Sequence, residues 1–226
     1  MQLSQSVVES FLDDQAPVFP TGVRLMDIDF EGYDLTGTTF KEVEFFNCDF
    51  SLAFLQNCLI DGCTFQNCDL SGSRFLRSII QDTSFDLIDM NGSLFEGEME
   101  RVYFSQCSQD DFLMTGSQFR QVNWVSCSME QIDASQALFS DCTFKICNMA
   151  RSDFEYSTLN RSSMRICNLV GSVFSRSRAA GLVITESDLE DAQFPMAQFF
   201  YSSIRNCNVT GVDFERAELT ECEIND

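Results

Sequence analysis

The chain has 226 residues, 44% of them apolar and 22% charged, which fits a folded protein and excludes a disordered one. Its net charge of −21 opposes direct binding to nucleic acid or to an anionic membrane, since both reward positive charge. No apolar run approaches the ~18 residues of a membrane-spanning helix. There is no histidine, no phosphate-binding glycine loop and no dinucleotide fingerprint, so the sequence reads as a non-enzyme with no cofactor and no metal.

Residues 1–22 read as an N-terminal cap and lead-in. The start, Met1-Gln2-Leu3-Ser4-Gln5, lacks the basic region and apolar stretch of a secretory signal. Residues 4–14 are expected to form a short helix, capped by Ser4 or Ser6. Val7, Val8, Phe11 and Leu12 would supply the apolar face that sits on the structure that follows. Gln15 to Thr21, with Pro17 and Pro20, leads into the repeats.

From Leu25 onward a large apolar residue recurs every five positions, through Phe30, Leu35, Phe40, Phe45 and Phe50 to Phe95. The count slips by one near Phe95-Glu96-Gly97-Glu98-Met99 and then runs from Met99 through Phe104 and Met114 to Ile224. Spacing alone leaves the missing residue anywhere in 96–103, with Gly97 serving both neighbours. Only Gln109, Ala134 and Ala179 interrupt the series of centres. Ile132 compensates the small Ala134, whereas Ser177 beside Ala179 has no such partner and predicts looser packing. Gln109 would turn its amide inward and needs a partner.

Neither a helix of period 3.6 nor a strand of period 2 explains a period of five. A square coil does. Four five-residue sides make a turn of twenty, with each centre and the residue two before it facing inward. The other three residues of each side face solvent. Residues 23–226 then stack as about ten coils of β-helix.

All eleven cysteines fall two residues before a centre. One column at twenty-residue spacing reads Ile28, Cys48, Cys68, Ile88, Cys107, Cys127, Cys147, Cys167, Ser187, Cys207. A position that recurs with the core period points inward, so the cysteines are expected to be reduced core residues, and a cytoplasmic setting follows. Gly32, Gly72, Gly92, Gly171 and Gly211 recur on one corner, where they serve the turn.

Stretches such as Cys68-Asp69-Leu70-Ser71-Gly72 and Ser152-Asp153-Phe154 resemble the pentapeptide-repeat family, whose pattern is A(D/N)LXX. The resemblance covers roughly residues 23–226 and implies an all-β, right-handed quadrilateral β-helix. The cysteine- and phenylalanine-rich wording of Phe45-Phe46-Asn47-Cys48-Asp49-Phe50 is similar to the Qnr- and MfpA-like subgroup of quinolone-resistance proteins. That subgroup implies a DNA-mimicking rod with DNA gyrase or topoisomerase IV as partner. The chain differs from it in having no insertion long enough for a projecting loop and no helical module after Ile224. The repeat runs to Ile224 without a visible cover, which favours a homodimer through the C-terminal coil.

Ten coils at ~4.8 Å give a rod of about 48 Å, and B-DNA of that length carries about 28 phosphate charges, comparable to −21. The charge is unevenly placed: −17 over residues 1–144, +4 over 145–178 and −8 over 179–226. The basic waist holds Lys145, Arg151, Arg161, Arg165, Arg176 and Arg178, and it interrupts the acidic surface on which the DNA-mimic reading rests. Lys145, Arg165 and Arg205 share one outward column.

Candidate protein-binding residues are the acidic Asp82, Asp86, Glu96, Glu98, Glu100, Asp110 and Asp111 and the outward apolar Phe54, Leu59, Leu76, Ile79, Leu94 and Leu113. The apolar set is expected near one corner over about four coils, where a contiguous patch suggests a partner. Phe46 and Phe200-Tyr201 face outward but are less clustered. A DNA mimic and a scaffold, effector or regulatory module with another protein partner both fit these residues.

Overall fold

A computed structural model describes residues 2–12 and 18–225. The chain winds as a four-sided coil of twenty residues per turn. The first face carries the strands Arg24–Met26, Glu44–Phe46, Thr64–Gln66 and their successors to Glu223–Asn225, and the fourth carries those from Thr39–Lys41 to Glu218–Thr220. Among the described residues these make parallel sheets of twelve and ten strands. The second and third faces are ladders of single bridges, such as Asp29–Asp49–Asp69–Asp89 and Asp34–Phe54–Arg74.

The five-residue side has a simple physical cause. In extended backbone a centre and the residue two before it point the same way, here inward. The residue two after the centre then takes positive φ and turns the corner. Among the described residues, thirty non-glycine residues and ten glycines have positive φ. Even Ile146 and Ile166, whose branched side chains disfavour this region, sit at φ 57 and 55. Stacking compels them: the Ile146 amide donates to the Arg165 carbonyl at 2.9 Å, and that of Ile166 to the Thr185 carbonyl at 3.1 Å. Asp in the repeat motif has its own task. The Oδ1 of Asp49 and of Asp69 accepts the amide two residues on, from Ser51 and Ser71, both at 2.8 Å.

Inside, rings stack along the axis. Phe45–Phe65, Phe65–Phe85 and Phe85–Phe104 lie at 4.4, 4.8 and 4.8 Å between near-parallel planes, and Trp124–Phe144 at 4.6 Å. Burying each such side chain contributes about 1.5–3 kcal/mol. The cysteines are free thiols, all buried except the half-buried Cys222. Their sulfhydryls donate to backbone carbonyls, as Cys58 does to Leu35 at 3.1 Å. Burial pushes the Cys58 thiol up to about 12 and those of Cys63 and Cys142 up to about 11. Gln109 is fully buried; its amide nitrogen donates to the Met90 sulfur at 3.7 Å, while its carbonyl oxygen has no partner. Ile132 and Ala134 are both buried. At Ala179 the ladder is thinner: the strand Thr158–Asn160 keeps only the Thr158–Arg178 pair with Arg178–Ala180, because the Asn160 side chain accepts the Ala180 amide at 3.0 Å.

The N-terminal end is closed by more than a helix. Gln2–Leu3 forms an additional strand on the first face, in register with Arg24–Leu25. The helix runs Gln5–Leu12, starting one residue after the expected Ser4, and Asp13 and Asp14 lie outside the described residues. The Ser4 carbonyl accepts the amides of Val7 and Val8, both at 3.0 Å, while the Ser4 and Ser6 hydroxyls bond each other at 3.3 Å. Gln5 closes the second face: its side-chain amide donates to the Asp29 carbonyl and accepts the Asp29 amide, each at 3.0 Å. Val8 is buried and Phe11 half-buried, but Val7 is 40% exposed, contrary to expectation. It lies about 100° around the helix from Val8, off the narrow stripe that meets the core. The side chain of Leu12, and residues 15–17 of the lead-in, are outside the described set.

The slip resolves to one place. Leu76 pairs with Glu96 and Ser78 with Gly97, so Arg77 has no counterpart and the missing residue is the corner between Glu96 and Gly97. Arg74–Gln81 and Leu94–Glu100 therefore run as long strands past that corner. A Cβ on Gly97 would lie under 3.0 Å from the Ser78 carbonyl oxygen and 3.0 Å from its amide nitrogen. Glycine is required here for close backbone approach, since Gly97 is absent from the positive-φ set. Ring stacking loosens alongside, with Phe75–Phe95 tilted at 6.4 Å.

Candidate protein-binding surface

The six apolar candidates gather where the third and fourth faces meet. Phe54, Arg74, Leu94 and Leu113 form one bridge column on the third face. Leu59 and Ile79 pair on the fourth, and Leu76 stands next to the corner residue Arg77. Ile79 and Leu113 are 45% and 43% exposed, and the other four are half-buried. The Arg74 guanidinium lies over the Phe54 ring at 5.7 Å and keeps that end of the strip covered.

The acidic candidates divide. Glu96 and Glu98 flank the slip, beside the apolar strip, and neither has an ion-pair partner among the described residues. Glu100, next on the fourth face, is bound by Arg101 and by Arg120 at 3.2 Å. Asp82 turns the corner toward the first face. Its two oxygens accept from Arg101 Nε and Nη2 at 2.6 and 2.8 Å, which holds its carboxyl below the ordinary range. Asp86 is on the first face, opposite Gln66 and Ser105. Asp110 is on the second, where it accepts the Ser128 hydroxyl and the Glu130 amide, both at 2.7 Å, and Asp111 turns the corner from the second face to the third. The structure thus unites the apolar residues with Glu96 and Glu98 and disperses the remaining acids.

The basic waist is largely neutralised by neighbouring coils. Arg151 pairs with Glu130, Arg161 with Asp141 at 2.7 Å, Arg165 with Glu186 at 3.0 Å and Arg176 with Glu155 at 3.1 Å. Lys145 abuts Arg165, and Thr185 stands between Arg165 and Arg205 in the same column. Among the described residues one carboxylate group, Asp29, Glu31 and Asp49, is close enough for shared cation binding. Asp29 and Asp49 already cap the amides of Glu31 and Ser51, at 2.9 and 2.8 Å.

Two exposed sets were not read from the sequence. Leu87, Ile146 and Ile166 lie on the corner between the first and second faces. Their signal is an apolar residue two after a centre, where polar residues and glycine predominate. The second is a groove of about 400 Å³ on the first face, lined by Arg24, Met26, Glu44, Phe46 and Gln66; Phe46 was its only signal.

The family model described as a pentapeptide repeat region matches residues 117–194, and the one described as pentapeptide repeats (8 copies) matches 24–62 and 58–97. The chain belongs to the pentapeptide-repeat family. No curated protein matches this pentapeptide-repeat chain. Among solved structures it is similar to HetL from the cyanobacterium Nostoc, a pentapeptide-repeat protein involved in heterocyst differentiation regulation. That likeness has TM-score 0.76 at 13% identity and covers 96% of this chain and 94% of HetL. QnrB1, a plasmid-mediated fluoroquinolone resistance protein, aligns over 87% of this chain and 91% of its own at 18% identity, with TM-score 0.37. At 13% identity the likeness to HetL speaks for the fold alone.

Proposed function

We propose that this pentapeptide-repeat protein is a non-enzymatic acidic rod that binds a protein partner and, most concretely, that it occupies the DNA-binding groove of DNA gyrase or topoisomerase IV. The observation that carries the reading is the net charge of −21 displayed outward along the stacked coils. Its linear density is close to that of a duplex. Such a rod competes with DNA for a basic groove and gains its association rate from electrostatic steering, so its effect falls steeply with salt. The test is inhibition of gyrase supercoiling, or protection against a quinolone, at micromolar protein and low ionic strength. Absence of any effect on either enzyme at low salt overturns it.

A second reading is favoured by the apolar strip from Phe54 to Leu113 beside Glu96 and Glu98: a scaffold, effector or regulatory module with a different protein partner. Its test is Ile79→Asp combined with Leu94→Asp, which should abolish that partner's binding and leave the acidic faces intact. A homodimer through the C-terminal coil completes either reading. It is supported by the half-exposed centres Val209, Phe214 and Leu219 and by Ile224 at 39% exposure, and is checked by sedimentation of an Ile224→Asp variant.

A further inference from the structure

Further along the corner between the third and fourth faces lies a groove of about 320 Å³, lined by Tyr156, Thr158, Arg176, Arg178, Met196 and Gln198. It is built from two columns over three coils. Tyr156, Arg176 and Met196 are successive corner residues with φ between 56 and 59. Thr158, Arg178 and Gln198 are in register on the fourth face. The two arginines stand two residues apart on either side of the inward Ser177, so both guanidinium groups border one opening.

Each is held in place by its neighbours. Arg176 lies over the Tyr156 ring at 5.3 Å and donates from Nη1 to the Tyr156 hydroxyl at 2.9 Å and to Glu155 at 3.1 Å. Arg178 donates from Nε to Gln198 Oε1 at 3.2 Å, and Gln198 in turn donates to Glu218 at 3.2 Å. Among the described residues Arg178 has no carboxylate within ion-pair reach, whereas Arg151, Arg161, Arg165 and Arg176 each do. Its charge is therefore uncompensated, and its two terminal NH₂ groups are not engaged. The lining of the groove holds two arginines and no carboxylate, and among the described residues only Arg176 is answered by a neighbouring acid, Glu155.

We propose that this groove binds a phosphate monoester, gripped by the terminal NH₂ groups of Arg178, flanked by Arg176 and capped by the Thr158 hydroxyl. A guanidinium fork matches the spacing of two phosphate oxygens, and a dianion rewards two nearby cations more than a carboxylate does. The Tyr156 and Met196 side chains offer an apolar wall to the ester's organic group. The source is either a small phosphate ester or a phosphorylated side chain of a partner. The site is independent of the topoisomerase reading.

The test is calorimetry with backbone NMR on the full chain at fixed ionic strength, using phenyl phosphate, inorganic phosphate and a phosphoserine peptide. Saturable binding should shift the amides of Thr158, Arg178 and Gln198. Arg178→Gln should weaken it about tenfold, the loss of one charge-assisted pair, and Arg178→Lys by less. Arg151→Gln, elsewhere in the waist, should bind as wild type. A peptide that binds more tightly than phenyl phosphate assigns the phosphate to a partner's side chain, and the reverse order assigns it to a small ester. The proposal fails if none of the probes saturates, if Arg178→Gln binds unchanged, or if Arg151→Gln loses as much.

Discussion

Gly97→Ala should be among the most damaging methyl additions available to this protein. The added carbon would sit under 3.0 Å from the Ser78 carbonyl oxygen, with the Ser78 amide nitrogen at 3.0 Å and carbonyl carbon at 3.1 Å. All three are backbone atoms, so no rotamer change relieves the overlap. The strand Leu94–Glu100 must move away from Arg74–Gln81 by a sizeable fraction of an ångström. That strains or breaks the interstrand bonds on both sides of the slip. Losing two or three backbone hydrogen bonds at about 1 kcal/mol each gives about 2–4 kcal/mol once the disturbed stacking of Phe75 on Phe95 is included.

Gly92→Ala is the control. It has φ +63 and nothing within 4 Å of its added Cβ, so it meets only the left-handed penalty of about 1 kcal/mol. Urea unfolding followed by circular dichroism measures the difference, and amide exchange around Ser78 and Gly97 localises it, since a stacked repeat need not melt as one unit. An asparagine inserted between Glu96 and Gly97 restores the lost corner and should rescue Gly97→Ala. If Gly97→Ala costs no more than Gly92→Ala, or the insertion fails to rescue it, the assignment of the missing corner is wrong.

Replacing the buried Gln109, whose carbonyl oxygen has no partner, by Met should raise stability by about 1–2 kcal/mol, read as a higher urea midpoint at unchanged slope. In the native protein a thiol reagent at neutral pH should modify Cys222 first and leave the buried cysteines until unfolding, because burial holds thiols such as Cys58 near 12. Rapid labelling of many thiols would contradict the inward ladder. Arg101 and Arg161 hold the carboxyls of Asp82 and Asp141 below the ordinary value, so these pairs stabilise above the unfolded carboxylate range and lose that contribution as pH falls through the folded value. Asp82→Asn with Asp141→Asn should therefore lower the melting temperature at neutral pH and converge with wild type in acid. Glu96→Lys with Glu98→Lys should weaken a partner at the apolar corner while leaving the melting temperature nearly unchanged, because neither carboxylate has a cation to lose among the described residues.

The coil was readable because it obeys a single period. An inward residue at every fifth position fixes side length, and identical columns at twenty fix the turn, so the spacing alone stacks Phe45, Phe65 and Phe85. What escaped the reading has no period. Gln2–Leu3 is a two-residue strand with no repeat before it, and the Gln5 amide that closes the second face has no sequence signal. The slip was visible as a change of count, but its place depends on which backbone atoms approach, and only the Ser78–Gly97 pairing shows that.

The surface failed to follow the sequence for a geometric reason. Residues five apart occupy adjacent faces, so acids that are neighbours in the chain are driven apart: Asp82 to one corner, Asp86 to the first face, Asp110 to the second and Asp111 to the corner beyond it. Residues twenty apart, or nineteen across the slip, become immediate neighbours. The unit of surface on this rod is therefore the column. By that rule Phe54–Arg74–Leu94–Leu113 is one candidate surface, and the proposed phosphate groove at Thr158–Arg178–Gln198 is another. The latter draws its members from three separate repeats, none unusual alone. A charge total over residues 145–178 counts Arg178 equally with Arg161, although Asp141 answers the charge of Arg161 and, among the described residues, no carboxylate answers that of Arg178. Which cations stay available to a ligand is decided by the coil above and the coil below.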